Sequence, residues 1–292
     1  MYKLLRADIS RLWRSKCLWI CAACALLLSV GGSPVNIGDG PFRDFPNIVI
    51  IISVFVPIFL GTEHSDHTIR NKLTVGAKRT HIYLASLLSS IVGALLITAA
   101  GSSYRIIKYI AAAVKYNTKG IGSEPMPTER FVWELAACVS AVIAACAFLT
   151  LLGMLITKKS SGIVWSVFIM ILLYGGSMFI GARLREDEMV FSSHIGDDGY
   201  FTNYEWKKND RYVSGFPRAA LGSLYSVIPF GAFDQANEGF SLLLYTDNYD
   251  MYNDIDNLEN GDGLWSLPIY SLGAAVVTSA IGTSVFRRKE IK

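Results

Sequence analysis

Apolar residues in this chain fall in blocks, and the blocks limit what it can fold into. Six of them, roughly 15 to 25 residues each, approach or match the ~30 Å hydrocarbon core of a bilayer. They occupy residues 17–33, 47–62, 83–103 (with helical character continuing towards 114), 131–157, 162–181 and 267–286. Backbone in lipid must satisfy its own N–H and C=O groups, so each block is expected to be a helix. The second is short and carries Pro57, so flanking residues must absorb some mismatch. Only 17% of the 292 residues are charged, against about a quarter in a soluble domain. The expected fold is an all-α membrane protein with six transmembrane helices.

Lys and Arg set the orientation. With both termini inside, the inner segments hold 15 basic residues against four acids, Asp8, Glu63, Asp66 and Glu290. The positive-inside rule then predicts a multi-pass protein of the cell (plasma) membrane with both termini cytoplasmic. Three units follow: 1–182 with five spans, an extracytoplasmic segment at 183–266, and 267–292 with the sixth span and a basic tail. No basic face supports nucleic-acid binding. The five cysteines, Cys17, Cys21, Cys24, Cys138 and Cys146, all lie in or beside apolar blocks, which leaves no disulfide framework for the polar segments. A basic start, an apolar run and Gly31-Gly32-Ser33 also fit a cleaved signal. Leu18-Trp19-Ile20 before Cys21 lacks the small residues of a lipoprotein site, and the block is read as a retained span.

Residues 1–16 have helical periodicity. Leu5, Ile9 and Leu12, with Leu4 and Trp13, share one side, and Lys3, Arg6, Arg11 and Arg14 fill much of the rest. This is the pattern of a basic amphipathic helix lying on the inner membrane surface. In the second inner segment, Ile69, Leu73 and Gly76 stack at helical spacing while Arg70, Lys72 and Lys78 point elsewhere. A short helix with one greasy and one basic edge suits a groove on a cytosolic partner. Such a loop is also what any six-span protein would have.

Glu63, then Thr68-Ile69-Arg70-Asn71-Lys72-Leu73, Gly76, Arg79 and Ile82-Tyr83, resembles the segment between the second and third spans of ABC-2 type ABC transporter permeases. His67 departs from the family's glycine before the threonine. The resemblance covers most of the chain apart from the long outer segment. It implies an export permease for peptide, drug-like or lipid-like cargo, paired with a second permease copy or homologous permease. Each permease would bind a separate cytosolic P-loop ATPase subunit, which uses the ATP; this chain itself would bind no cofactor and catalyse no reaction. Glu63, Thr68, Ile69, Arg70, Asn71, Lys72, Leu73, Gly76 and Arg79 would form a cytosolic coupling helix. Gly153 to Ser160 is the nearest string to a P-loop, but Lys158 stands where its second glycine is needed, and the run ends a span.

Other constellations are weaker. His64 and His67 are three apart beside Glu63 and Asp66, unlike the His-Glu-x-x-His of a zinc protease. Glu63 is expected to pair with Arg70 or Arg79. In the outer segment, patches at 219–233 and 240–244 suggest partial folding, and Asp254, Asp256 and Glu259 lack the calcium-loop pattern. Small residues form ridges on the fourth span (Ala137, Ala141, Ala145) and the sixth (Ser271, Ala275, Ser279, Thr283), as close helix packing requires. Trp133, Trp165 and Trp265 sit where interfacial anchors belong. Arg105 and Lys108 are read as snorkelling residues or an outer amphipathic stretch. No span shows an ionisable residue near its middle, Glu134 being a partial exception, which argues against an ion-driven carrier. Two rivals stand beside the exporter: an immunity or sensing permease for an antimicrobial peptide, and a stand-alone intramembrane enzyme, which would need clustered acids or histidines within spans.

Overall fold

Long runs of Leu, Ile, Ala and Val with few breakers favour helix, and helix dominates. The computed structural model describes residues 1–31, 42–66, 68–119, 128–156, 158–195, 201–238 and 264–288. Its elements are α1 (Tyr2–Arg14), α2 (Lys16–Gly31), α3 (Phe45–Ser65), α4 (Thr68–Thr74), α5 (Arg79–Lys119), α6 (Thr128–Leu155), α7 (Lys159–Leu184), β1 (Met189–Ile195), β2 (Phe201–Lys208), α8 (Gly215–Val227), α9 (Pro229–Glu238) and α10 (Ser266–Arg288).

Five of these helices, α3, α5, α6, α7 and α10, are long and apolar enough to cross a membrane. The first apolar block differs from expectation. It forms the 16-residue α2, which reaches spanning length only together with α1, and the two are bent by 59°. The break is Ser15, whose extended backbone (ψ 116°) ends α1. Trp13 and Trp19 bracket it, with rings 5.8 Å apart and the Trp19 indole donating to the Trp13 carbonyl at 3.1 Å. The second block is longer than the sequence suggested: α3 has 21 residues, about 31 Å at 1.5 Å per residue. Pro57 lies inside it, buried, and the helix continues through.

Helix α3 is the centre of the assembly, packed against α2, α5, α6 and α7. Its buried face includes Ile48, Ile52, Phe55, Phe59 and Leu60. Helix α5 comes so close at Gly93 that a Cβ there would lie 2.6 Å from the Phe55 ring. Two polar links pin these antiparallel helices. Asp44, which caps α3, pairs with the buried Arg105 of α5. Nineteen residues on, Glu63 of α3 accepts from Ser86 of α5, itself nineteen residues before Arg105. The links are thus about 28 Å apart along the helices, close to one hydrocarbon thickness.

The helices that carry the small-residue ridges pack together, α6 on α10, and Ala137, Ala141 and Ala145 of the one and Ser271 and Ala275 of the other are buried. Trp133, Trp165 and Trp265 are exposed. Helices α7 and α10 turn much of their apolar surface outward, including Phe168, Leu172 and Phe179 on α7 and Val276, Val277 and Ile281 on α10.

Between α7 and α10 the fold is not all-α. Strands β1 and β2 form an antiparallel hairpin, pairing Met189 with Lys208 and Ile195 with Phe201. Both strands are rich in aromatic, β-branched and Thr/Ser residues, which suit a pleated surface better than a helix. The patch at 219–233 folds as α8 and α9. Helix α9 seats at the end of α3 opposite Glu63, with Phe233 stacked on Phe45 at 4.4 Å and Phe230 against Tyr174 at 5.2 Å. Arg185 anchors it through Asp234 at 2.5 Å, and Tyr225 donates to the same carboxylate. Residues 240–244 and the acids Asp254, Asp256 and Glu259 lie outside the described residues.

Candidate functional site

The site is a buried ion cluster beneath the short helix α4. Glu63, in the last turn of α3, is fully buried, and burying a lone carboxylate is prohibitive without partners. It has three. Lys72 of α4 donates to its Oε1 at 3.0 Å. Arg11 of α1 places Nη2 2.7 Å from the same oxygen, as a close ionic contact rather than an aligned hydrogen bond. Ser86 of α5 donates to Oε2 at 2.9 Å. The Arg11 guanidinium also lies 4.4 Å above the Phe59 ring, a cation–π contact.

A second carboxylate completes the cluster. Asp8 of α1 is buried, and its Oδ1 accepts from Lys72 at 2.7 Å. Lys72 thus bridges two acids on different helices. Burial pushes the Asp8 carboxyl above its ordinary value of 3.8, and the neighbouring Glu63 charge adds to this, while Lys72 and Arg11 pull the other way. Its Oδ2 is buried with no hydrogen-bond partner among the described residues, the atom on which a proton would reside. Two carboxylates and two cations leave the cluster neutral overall.

Helix α4 is held at both ends. Thr68 donates to the Glu63 carbonyl at 2.8 Å, joining α4 to the end of α3. At the other end the Ala77 N–H bonds to the Lys72 carbonyl at 3.1 Å and the Gly76 N–H to the Leu73 carbonyl at 2.9 Å. This is a Schellman closure, and it needs a left-handed residue at its corner. Gly76 supplies it with φ +88°.

The nine residues singled out from the sequence divide sharply. Glu63 and Ile69 are buried, and Leu73 packs against the protein's own core. The apolar edge of α4 is therefore directed inward rather than offered to a groove elsewhere, because the seven-residue helix lies on α3 and α5 and must cover them. Lys72, expected on the basic edge, is turned in by the two buried acids. Glu63 pairs with Arg11 and Lys72, whereas the expectation was Arg70 or Arg79. Arg79 instead donates to the Arg287 carbonyl at the end of α10, at 3.3 Å. Thr68 is half-buried; Arg70, Asn71 and Gly76 are exposed, with Thr74 and Val75 beside them. His67 lies outside the described residues. Arg11 was counted among the outward basic residues of α1, but its helix turns Asp8, Arg11 and Leu12 inward together.

Sequence reasoning missed Asp8, Arg11 and Ser86. Asp8 carried a signal: it is the lone acid in a strongly basic helix, three residues before Arg11 and so on the same face. Ser86 carried none. What the cluster provides by its geometry is a mechanical tie between α1, α3, α4 and α5. Displacing α4 must displace α1, α3 and α5 or break buried ion pairs. Neither a protein-family profile nor a curated protein matches the chain.

Proposed function

We propose that this chain is the membrane-spanning permease subunit of an ATP-dependent ABC-2 type exporter, moving peptide, drug-like or lipid-like cargo outward. A separate cytosolic P-loop ATPase subunit supplies the energy, and a second permease, a copy or a homologue, completes the pathway. In this reading α1 lies on the inner membrane surface and α2 is a short first span, which with the five long helices gives six. Both termini and α4 are cytoplasmic, and the hairpin, α8 and α9 are outside.

The observation that carries the reading is the bridge from Lys72 to Asp8 and Glu63. A coupling helix must pass force from a partner into the spans, and a loop on flexible tethers would dissipate it. Here α4 is fastened through buried ion pairs to α1 and α3, with Ser86 extending the link to α5. Rigid elements joined in this way move as bodies, the mode by which packed assemblies switch. The face left exposed by α4, with Arg70, Asn71, Thr74 and Val75, is the one a partner would contact.

A mild-detergent pull-down of the tagged full chain from its native membrane tests the reading. Stoichiometric recovery of a P-loop ATPase supports it. Reproducible recovery of the folded chain without one sinks it and moves weight to a stand-alone receptor or enzyme.

A further inference from the structure

Helix α8 has an unusual surface for a segment between spans. Phe216, Leu224 and Val227 are 85%, 49% and 38% exposed, and Pro217, Ala219 and Ala220 are exposed with them. Phe216, Ala220, Leu224 and Val227 recur at helical spacing and form one apolar stripe along the helix. No charge interrupts it. Arg218, the single charged residue of α8, is buried; it donates to the Leu184 carbonyl at 2.8 Å and lies 5.1 Å over the Tyr212 ring. The other polar side chains are also satisfied within the protein. Ser223 donates to the Ala219 carbonyl at 2.9 Å, Tyr225 donates to Asp234, and Ser226 accepts from Gln235 at 3.0 Å. A helix bathed in water would carry polar groups on its outer face, as the neighbouring hairpin does with Lys207, Lys208 and Glu188.

The helix also sits at the depth of lipid. On α7 the uncharged run 160–182, about 34 Å long, matches one hydrocarbon core, and Arg183 marks its far edge. Arg218 meets the end of α7 at Leu184. Tyr225, further along α8, packs on Gly181, where a Cβ would lie 2.5 Å from the tyrosine hydroxyl. Beyond the turn at Ile228, the Phe230 ring rests on Tyr174 with centroids 5.2 Å apart. Tyr174 is nine residues short of Arg183, about 13 Å along α7, and helical side chains lean towards the N-terminus, here deeper still. Helix α8 therefore descends beside α7 and brings Val227 inside the apolar layer. It packs on α7 and α10, whose own ends here expose Met178, Phe179, Ile269 and Leu272. The stripe thus adjoins the apolar surface that those two helices turn outward.

We infer that α8 lies within the leaflet opposite the Glu63 cluster, with Phe216, Ala220, Leu224 and Val227 against lipid acyl chains. A soluble partner could not reach Val227 at that depth, and the stripe has none of the polar groups that rim a protein interface. The inference rests on α7 and α10 crossing a bilayer and not on the exporter reading, so either can fail alone.

Spin-label accessibility of the full chain in phosphatidylcholine vesicles tests this. Phe216→Cys, Ala220→Cys, Leu224→Cys and Val227→Cys carry the nitroxide one at a time, with Lys207→Cys as the water-exposed control. Cys17→Ala and Cys24→Ala remove the native thiols open to label, since the other three cysteines are buried. The probes are dissolved oxygen, which concentrates in lipid, and a nickel chelate, which stays in water. Oxygen collisions should dominate along the stripe, and the oxygen-to-nickel ratio should rise from Phe216 to Val227, while Lys207 shows the opposite preference. All four stripe positions are exposed, so the variants should keep the parent melting temperature, and a position that disturbs folding leaves three others to report. Nickel-dominated collisions at Leu224 and Val227 would place the face in water and overturn the inference. Low rates with both probes would mean that protein covers the stripe, a second copy or another segment of this chain, and would overturn it equally.

Discussion

Removing the ammonium from the α4 cluster is the sharpest perturbation available. Lys72→Met keeps the aliphatic stem and leaves Asp8 and Glu63 with only Arg11 between them. Stripping a buried ion of its partner costs about 3–5 kcal/mol. Two features hold the value near the lower bound. The Lys72 side chain is 14% exposed, so the pair is not fully desolvated, and Asp8 can take up a proton on its unpartnered Oδ2. We expect a loss of about 3 kcal/mol. Asp8→Asn leaves Lys72 with Glu63 and a path to solvent, and should cost about 1–2 kcal/mol. The double variant removes one charge of each sign and restores neutrality, with Glu63 still facing Arg11. It should fall short of the additive sum by at least about 1.5 kcal/mol, within the range for residues sharing a network. Equilibrium unfolding of the full chain in mixed micelles of rising dodecyl sulfate fraction would measure all three, using indole fluorescence with Trp13 and Trp19 at the α1–α2 bend as local reporters. Additivity to within about 0.5 kcal/mol would refute a coupled cluster.

Four further outcomes are expected. Arg70→Glu, on the exposed face of α4, should reduce recovery of a partner ATPase while leaving the melting temperature unchanged; the reverse pattern would remove Arg70 from the partner surface. Gly76→Ala should cost about 1–2 kcal/mol in micelle unfolding because its left-handed backbone resists a Cβ, although no neighbour lies within 4 Å, and Gly76→Asn should cost less. Ser86→Ala should cost about 1.5–3 kcal/mol by leaving a Glu63 oxygen without its donor, and a neutral result would mean that another group replaces it. The raised Asp8 carboxyl makes a pH prediction: the folded state holds that proton more tightly, so its stabilising contribution is complete below 3.8 and is lost as pH rises through its folded value. Asp8→Asn should therefore show a flatter stability curve than wild type from the ordinary carboxylate range upward; parallel curves would count against it.

The long helices were legible because apolar length is a direct signal: α3, α5, α6, α7 and α10 each correspond to an apolar block. The small residues of α6 and α10 were legible as ridges suited to close packing, though not that these two helices would be partners. What failed had physical reasons. The bend at Ser15 depends on one residue's backbone angles, and nothing in the periodicity on either side marks it. The hairpin at 189–208 is made of residues that a helix-rich context obscured. Helix α4 shows the general difficulty best. Periodicity located its apolar edge correctly, but not whether that edge faced a partner or the rest of the same chain. A seven-residue helix beside a buried glutamate has to resolve that in favour of the glutamate, and Lys72 followed. Arg105 was read as a snorkelling side chain or part of an outer amphipathic stretch because its partner, Asp44, lies 61 residues away in sequence.

The two links between α3 and α5 bear on how this pair can move. A single cross-link leaves two rods free to roll about their long axes, using the link as a pivot. Links at both ends remove that torsion, and the Gly93–Phe55 contact between them blocks the gap from closing further. Torque applied at α4 cannot be absorbed as a roll of α3 against α5, and must emerge on the other faces of α3, where α6 and α7 lie. There Pro57, which has no N–H to offer the preceding turn, lies beside Gly162 of α7, where an added Cβ would stand 3.7 Å from the Pro57 Cβ. That close approach is the bearing about which a torsionally locked α3–α5 unit would turn.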